Sequence, residues 1–428
     1  MRGRVSAVVL AGLLGPLLGF GLAGCKPPNQ AANPAAIVKP AFEKVLADTN
    51  AAIASGEAMV KGPIQSALVP VELVSLYTER ARLTGNYDDY GRAEELLARV
   101  PGQFRTADGV CLARAKLHYS LHRLTLAKAT LDGCPGLAGQ AEDVGVRADI
   151  AFYSGRYKDA GIIYRALVNQ TGTPQAYIRL ALFHARTGSP GEALALMEAA
   201  EKRYFGGSPI MHSWLALQRG LIEMDRGRYD EARALFALAD ERLPGYWLNE
   251  EHLAEIASLK GETPAAKRIY ESVVRKTGAP EYLDALGSIE AEAGQAQVAR
   301  KLFARAEAIY AERGKRFPEA IAGHALEHFL SAAPQPARAL ALAEANFQNR
   351  PHGDAAIALA KAQLLNARPG DAVQRLEQQL SQGWDTAETY WILSLAAKAA
   401  GNAARAKSAS VEATLRNPQS ATQYAFPF

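Results

Sequence analysis

The sequence predicts an all-α solenoid of about ten stacked helix pairs, and three regularities predict it. Nine alanines follow one another at intervals of 33, 33, 39, 34, 33, 40, 33 and 34 residues. A glycine stands five residues before six of them, and a bulky side chain stands four residues after six of them. The nine alanines are Ala127, Ala160, Ala193, Ala232, Ala266, Ala299, Ala339, Ala372 and Ala406.

Each regularity has a structural reason. The glycines should form the tight turn inside each pair, because glycine adopts left-handed backbone without strain. Small residues recur seven positions before the glycines, so two helices can cross closely while a large side chain fills the gap to the next pair. The turn glycines are Gly155, Gly188, Gly227, Gly261, Gly294 and Gly401, and the bulky residues are Tyr164, Met197, Phe236, Tyr270, Phe303 and Leu376.

Two segments carry the repeat most fully, GRYKDAGIIY (155–164) and GRYDEARALF (227–236). They resemble the tetratricopeptide-repeat (TPR) family over about residues 70–418. The resemblance implies a right-handed superhelix whose first helices line a concave, protein-binding groove. The aromatic expected early in each first helix is missing from most copies, and the eighth copy has Pro334 and Pro336 at its turn.

The N-terminus reads as an export signal over residues 1–24, with a charged start, an apolar stretch and the tetrapeptide LAGC ending at Cys25. This ending resembles the lipobox of bacterial lipoproteins, which implies a lipid on Cys25. The alternatives are an ordinary secretory signal cleaved nearby and an uncut anchor. Lys26 follows, and by resemblance to Gram-negative sorting we expect an outer-membrane anchor with the solenoid facing the periplasm.

We divide the rest of the chain into a lipidated cysteine with a Pro-punctuated tether and leading helix (25–66), the solenoid (67–418) and a tail (419–428). The tail either covers the last pair or docks a partner. No later stretch has 18 uncharged apolar residues, so membrane contact should occur through the lipid only. Removing Arg2 and Arg4 with the signal leaves 46 basic and 44 acidic residues, a charge of +2, which argues against nucleic-acid binding.

Cys111 and Cys134 are the two cysteines that remain after the anchor. The repeat places them near the start of one first helix and the end of its partner, and antiparallel helices bring such ends together. An exported protein meets an oxidising compartment, which favours a disulfide over two buried thiols.

The segment His324-Ala-Leu-Glu-His328 matches the H-x-x-E-H pattern of inverted zinc peptidases. Such a short match is frequent by chance, and an open solenoid offers no obvious third ligand or roofed cleft. We therefore expect no enzyme activity and no cofactor. A metal held by His324 and His328 without catalysis remains open beside the simpler interpretation, solvated groove residues.

The groove itself should carry apolar anchors beside charged residues, a combination that suits a peptide. These positions are Trp214, Leu217, Leu221, Met224, Glu251, His252, Glu255 and Asp284. The sequence thus predicts a lipid-anchored periplasmic scaffold that binds an envelope protein and supports envelope assembly, secretion or export. The alternative is a periplasmic protein that binds a metal or a small ligand with its groove histidines.

Overall fold

The computed structural model describes residues 41–426. The regular secondary structure of this part of the chain is helical, apart from one parallel β-bridge between Thr187 and Asp385. Its α-helices are α1 Phe42–Met59, α2 Leu68–Thr84, α3 Asp88–Arg99, α4 Asp108–Ser120, α5 Leu124–Asp132, α6 Ala141–Tyr153, α7 Tyr157–Thr171, α8 Pro174–Arg186, α9 Pro190–Arg203, α10 Pro209–Asp225, α11 Tyr229–Arg242, α12 Trp247–Leu259, α13 Thr263–Thr277, α14 Pro280–Glu292, α15 Ala296–Arg316, α16 Pro318–Glu327, α17 Pro336–Asn349, α18 Gly353–Leu365, α19 Pro369–Gln382, α20 Ala387–Ala399, α21 Ala403–Arg416 and α22 Ser420–Gln423.

The helices from α2 to α21 pack as ten consecutive pairs, α2 with α3 through α20 with α21. Helix α1 precedes the first pair and α22 follows the last. The predicted all-α, TPR-type solenoid is thereby confirmed. None of the described helices is both long and apolar enough to cross a bilayer.

The recurring alanines lie at the close crossings. Eight of the nine are at most 2% exposed, and Ala406 is partly exposed because the last pair has no full pair stacked on it. The small residues also lie directly against the bulky ones, since a Cβ added to Gly220 would lie 2.4 Å from the Phe236 ring. The repeat pattern therefore records which side chains meet between helices.

The turn glycines have the left-handed backbone that the sequence predicts, for example φ 76° at Gly155 and 77° at Gly261. Two turns make the same bend without glycine. His122 and Ala367 stand five residues before Ala127 and Ala372, and they have φ values of 60° and 54°. The eighth pair, where Pro334 falls at this position, uses instead a π-helix, His328–Ala332, and differs in geometry as its prolines indicate.

The two long repeats use their additional residues differently. One forms the loop 204–208 between α9 and α10. The other extends α15 to 21 residues, and its last turns reach the first pair. There Arg313 donates to the Gly85 carbonyl at 3.2 Å, and Arg316 pairs with Glu95 at 2.9 Å.

The superhelix closes on itself after six pairs. The turn at Gly155 meets the Pro351 carbonyl, Asp385 N donates to Arg186 O at 2.9 Å, and Arg123 pairs with Glu319 at 3.2 Å. Each contact joins the turn region of one pair to the start of the pair six places later or to the segment just before that pair. We call this line of contacts the seam. Since the second superhelical turn covers the first along the seam, much of the concave face is inside the molecule.

Candidate functional site

A cavity of about 530 Å³ lies on the seam where the fourth and fifth pairs meet the last two pairs and the tail. Its wall reaches the molecular surface, because Leu415 is 73% exposed and Gln419 is also exposed. We call it the seam cavity. Four basic and four acidic side chains line it: Arg186, Arg226, Arg228, Arg416, Asp225, Asp354, Asp385 and Glu388.

Most of these charges are already paired. Arg186 donates to Asp225 at 3.0 Å, and Arg416 holds Asp385 with two donors, Nη2 lying 3.0 Å from Oδ2. Glu388 accepts from Lys361 at 2.7 Å. Burial raises the pKa of Asp225 to about 6, against the opposing effect of Arg186. The cavity therefore has a fixed lining with equal numbers of basic and acidic side chains, which suits a ligand that carries both positive and negative groups.

A smaller chamber of about 50 Å³ lies deeper, against helix α12. It shares Arg186, Asp225 and Asp354 with the seam cavity, and His252 and Glu255 form part of its inner wall. We call it the inner chamber. One water molecule needs about 10–15 Å³ of such volume, so the chamber has room for a few.

Three side chains of α12 meet beside the inner chamber. His252 Nδ1 lies 3.0 Å from Glu255 Oε2 and 3.2 Å from Glu251 Oε2. Burial raises the pKa of Glu251 to about 8. Burial also lowers the pKa of His252, but the two carboxylates outweigh it and raise that pKa above its usual value. We call Glu251, His252 and Glu255 the α12 cluster.

The predicted groove is not open. Only Trp214 and Leu221 among its members are partly exposed, and Leu221 lines the inner chamber. The others are at most 4% exposed: Leu217, Met224, Glu251, His252, Glu255 and Asp284. Leu217 and Met224 belong to an apolar core with Phe236. This corrects the expectation of an open, solvated groove. Packing within and between adjacent pairs buries Leu217 and Met224, and residues across the seam cover the chamber beside His252 and Glu255.

His324 and His328 each pair with a different acid. Nδ1 of His324 lies 3.1 Å from Glu281, and Nδ1 of His328 lies 2.8 Å from Asp284. His328 also begins the π-helix. Within residues 41–426, the one set of three potential ligands in mutual reach is the α12 cluster. Among the described residues, the structure thus provides no third ligand for a metal held by His324 and His328.

The remaining predicted features are the disulfide, the lipidated cysteine and the C-terminal tail. Cys111 and Cys134 form a disulfide with their Cα atoms 6.3 Å apart. Cys25 lies outside the described residues. The tail packs down as far as it is described, since Tyr424 is 7% exposed and the Tyr229 hydroxyl donates to Gln423 at 3.2 Å. Helix α22 thereby takes the place on the seam that an eleventh pair would occupy.

Sequence reasoning missed the charged lining of the seam cavity, although a signal exists. Arg186 and Asp225 both stand seven residues before a recurring alanine, and Asp354 and Glu388 both stand eighteen before one. Equivalent positions in successive pairs are neighbours, so each of these two sets could have been grouped. That the two sets face each other depends on the seam, which no local pattern encodes.

Comparisons with known proteins add three similar structures. No family model matches the chain, and no curated protein matches it. The APC/C hetero-tetramer Cut9-Hcn1 is 14% identical, with a TM-score of 0.42, over 82% of this chain and 74% of that one. The type IV pilus biogenesis factor PilW is 18% identical, with a TM-score of 0.39, over 50% and 95%. MamA is 15% identical, with a TM-score of 0.32, over 39% and 96%. The fold rests on the helix pairs described above, and similarities of this size carry no information about what this chain binds.

Proposed function

We propose that this protein is a non-catalytic adaptor of the bacterial cell envelope that takes a short segment of a partner protein into the seam cavity. The observation that carries the proposal is the cavity itself, about 530 Å³ with charged side chains of both signs in fixed positions. This volume lies within the roughly 300–1,000 Å³ of typical binding sites. Leu415, at 73% exposure, adds an apolar contact at the rim.

The partner's segment must be short, because the seam covers much of the concave face. A loop or a chain end with both charged and apolar groups matches the lining and the rim. A small polar ligand is the second candidate, since the cavity would also enclose a molecule of that size.

A photo-crosslinking residue at Gln419, on the exposed edge of the seam cavity, tests the proposal in cells. We expect a discrete protein adduct that Leu415→Glu abolishes and Val298→Glu leaves intact. Val298 is a matched control because it is also an exposed apolar residue on a helix, at 44% exposure, and does not line the cavity. An adduct that forms equally well in Leu415→Glu would contradict the proposal. Absence of any protein adduct, with a small molecule retained in native mass spectrometry, would favour the second candidate.

The location is part of the same proposal and is supported by the sequence at Cys25. A diacylated or triacylated cysteine holds a protein stably on a membrane, and a tether lets the solenoid stand clear of the headgroups. We propose the outer membrane, with the solenoid in the periplasm. Labelled palmitate should enter the wild-type chain and not Cys25→Ser, and membrane fractionation should place the label in the outer membrane. Equal labelling of both chains would refute the anchor.

A further inference from the structure

We propose that the α12 cluster, Glu251, His252 and Glu255, binds one divalent transition-metal cation of the zinc class, with water from the inner chamber completing its coordination. This site is distinct from the His324–His328 pair that the sequence singles out. It is also independent of partner binding at the seam cavity.

The spacing of the donor atoms suits one ion. Zinc binds histidine nitrogen and carboxylate oxygen at about 2.0–2.2 Å, so neighbouring ligands in a tetrahedral site lie about 3.3–3.6 Å apart. The two distances from His252 Nδ1, 3.0 Å to Glu255 and 3.2 Å to Glu251, are shorter than this by only a few tenths of an ångström, so a small outward shift of the side chains would admit one ion. All three ligand atoms lie within 4.8 Å of one another. A shared helix sets this spacing, with Glu251 and Glu255 one turn apart.

The hydrogen bonding of the cluster is incomplete. His252 faces the two carboxyl groups with one ring nitrogen, Nδ1, whose N–H donates to Glu255 Oε2. Glu251 Oε2 and Glu255 Oε1 then have no hydrogen-bond partner, although their residues are 2% and 1% exposed. Leaving a buried carboxyl oxygen unpaired is costly, and a cation bound by the cluster would give Glu251 Oε2 a partner. Glu255 Oε1 would gain one too if Glu255 bound the cation through both of its oxygens.

The charges around the cluster also favour the binding of a cation. The charged groups that act most strongly on Glu251 are His252, Glu255 and Glu281, and Glu281 already pairs with His324. Two buried carboxyl groups therefore share one imidazole. One imidazole nitrogen with two carboxylate oxygens is a donor set that favours zinc, manganese or cobalt over calcium, which takes oxygen ligands.

The surroundings supply the remaining requirements of a metal site. The Phe236 ring stacks on the His252 imidazole, with centroids 5.2 Å apart and planes 22° apart, and so fixes the orientation of the ligand. The inner chamber provides room for bound water, and it shares Arg186, Asp225 and Asp354 in its wall with the seam cavity.

Metal binding to the purified full-length chain tests the proposal. After treatment with a chelator, titration with Zn²⁺ followed by calorimetry and elemental analysis should show one bound ion per chain. Co²⁺ in its place should give visible absorption bands from coordinated nitrogen and oxygen. Glu255→Gln and Glu251→Gln keep the side-chain shape, and we expect each to weaken binding by at least about 100-fold, more than the loss of an outer-shell partner.

His324→Gln is the matched control, because His324 is also a buried histidine paired with a glutamate, and it should retain the affinity. Circular dichroism of each variant checks that it folds. A wild-type chain without a stoichiometric ion would overturn the proposal. So would affinity that survives both glutamine variants, or affinity lost in His324→Gln and kept in Glu255→Gln, since that pattern would move the site to the other histidines.

Discussion

Two alanine substitutions at equivalent turns isolate the energy of the seam. Gly155 and Gly261 have φ values of 76° and 77°, so alanine meets the same backbone strain at both. Their surroundings differ. A Cβ at Gly261 would have no atom within 4 Å, whereas a Cβ at Gly155 would lie 2.7 Å from the Pro351 carbonyl oxygen across the seam.

The expected magnitudes follow from that difference. Left-handed backbone costs a residue with a Cβ about 1–2 kcal/mol. Alanine restricts the unfolded chain relative to glycine and offsets about 0.4–1 kcal/mol of this. Gly261→Ala should thus lower the free energy of unfolding by about 1 kcal/mol. Gly155→Ala carries the same cost plus that of an overpacked contact, about 1–3 kcal/mol.

Urea denaturation of the full-length chain measures both free energies, and hydrogen exchange locates the change. Because a solenoid opens in parts, amides near Pro351 should exchange faster in Gly155→Ala and at the wild-type rate in Gly261→Ala. Gly294→Ala is a second control, with φ 79° and no atom within 4 Å. Equal destabilisation by Gly155→Ala and the two controls would refute a closed superhelix in solution.

Three further outcomes are expected. Ala367→Gly should raise the free energy of unfolding by about 1 kcal/mol in urea denaturation, because Ala367 is exposed and has φ 54°; a loss of stability would refute the strain at that turn. Reduction of the Cys111–Cys134 disulfide, which spans 23 residues, should lower that free energy by about 3 kcal/mol, and alkylation of the unreduced, denatured chain should find neither thiol. Burial lowers the pKa values of His122 and His352 well below the usual range, so below about pH 6.5 the unfolded chain takes up protons that the folded chain refuses. The free energy of unfolding should therefore decrease as the pH is lowered below about 6.5, by up to about 1.4 kcal/mol per pH unit for each histidine. His122→Gly should reduce that slope, and an unchanged slope would contradict the burial of a neutral imidazole.

Much of the fold could be predicted because the information is local. The alanines, the turn glycines and the bulky residues each report a contact within a pair or between adjacent pairs, and such contacts repeat along the chain. The same reasoning found the residues of the α12 cluster, since they stand at groove positions of one first helix. It assigned them to an open surface, because the pattern of one pair says nothing about what lies across the superhelix.

The sequence by itself thus determined the period, the helix pairs, the turns and the residues at their crossings. Only the tertiary structure decided that the groove closes, that Arg186 and Asp225 face Asp354 and Glu388, and that the α12 cluster lies beside a chamber. The physical reason is that the rotation between adjacent pairs is small and accumulates over six of them, assisted by the lengthened α15. Contacts such as Gly155 with Pro351 join residues 196 positions apart and leave no periodic trace in the chain.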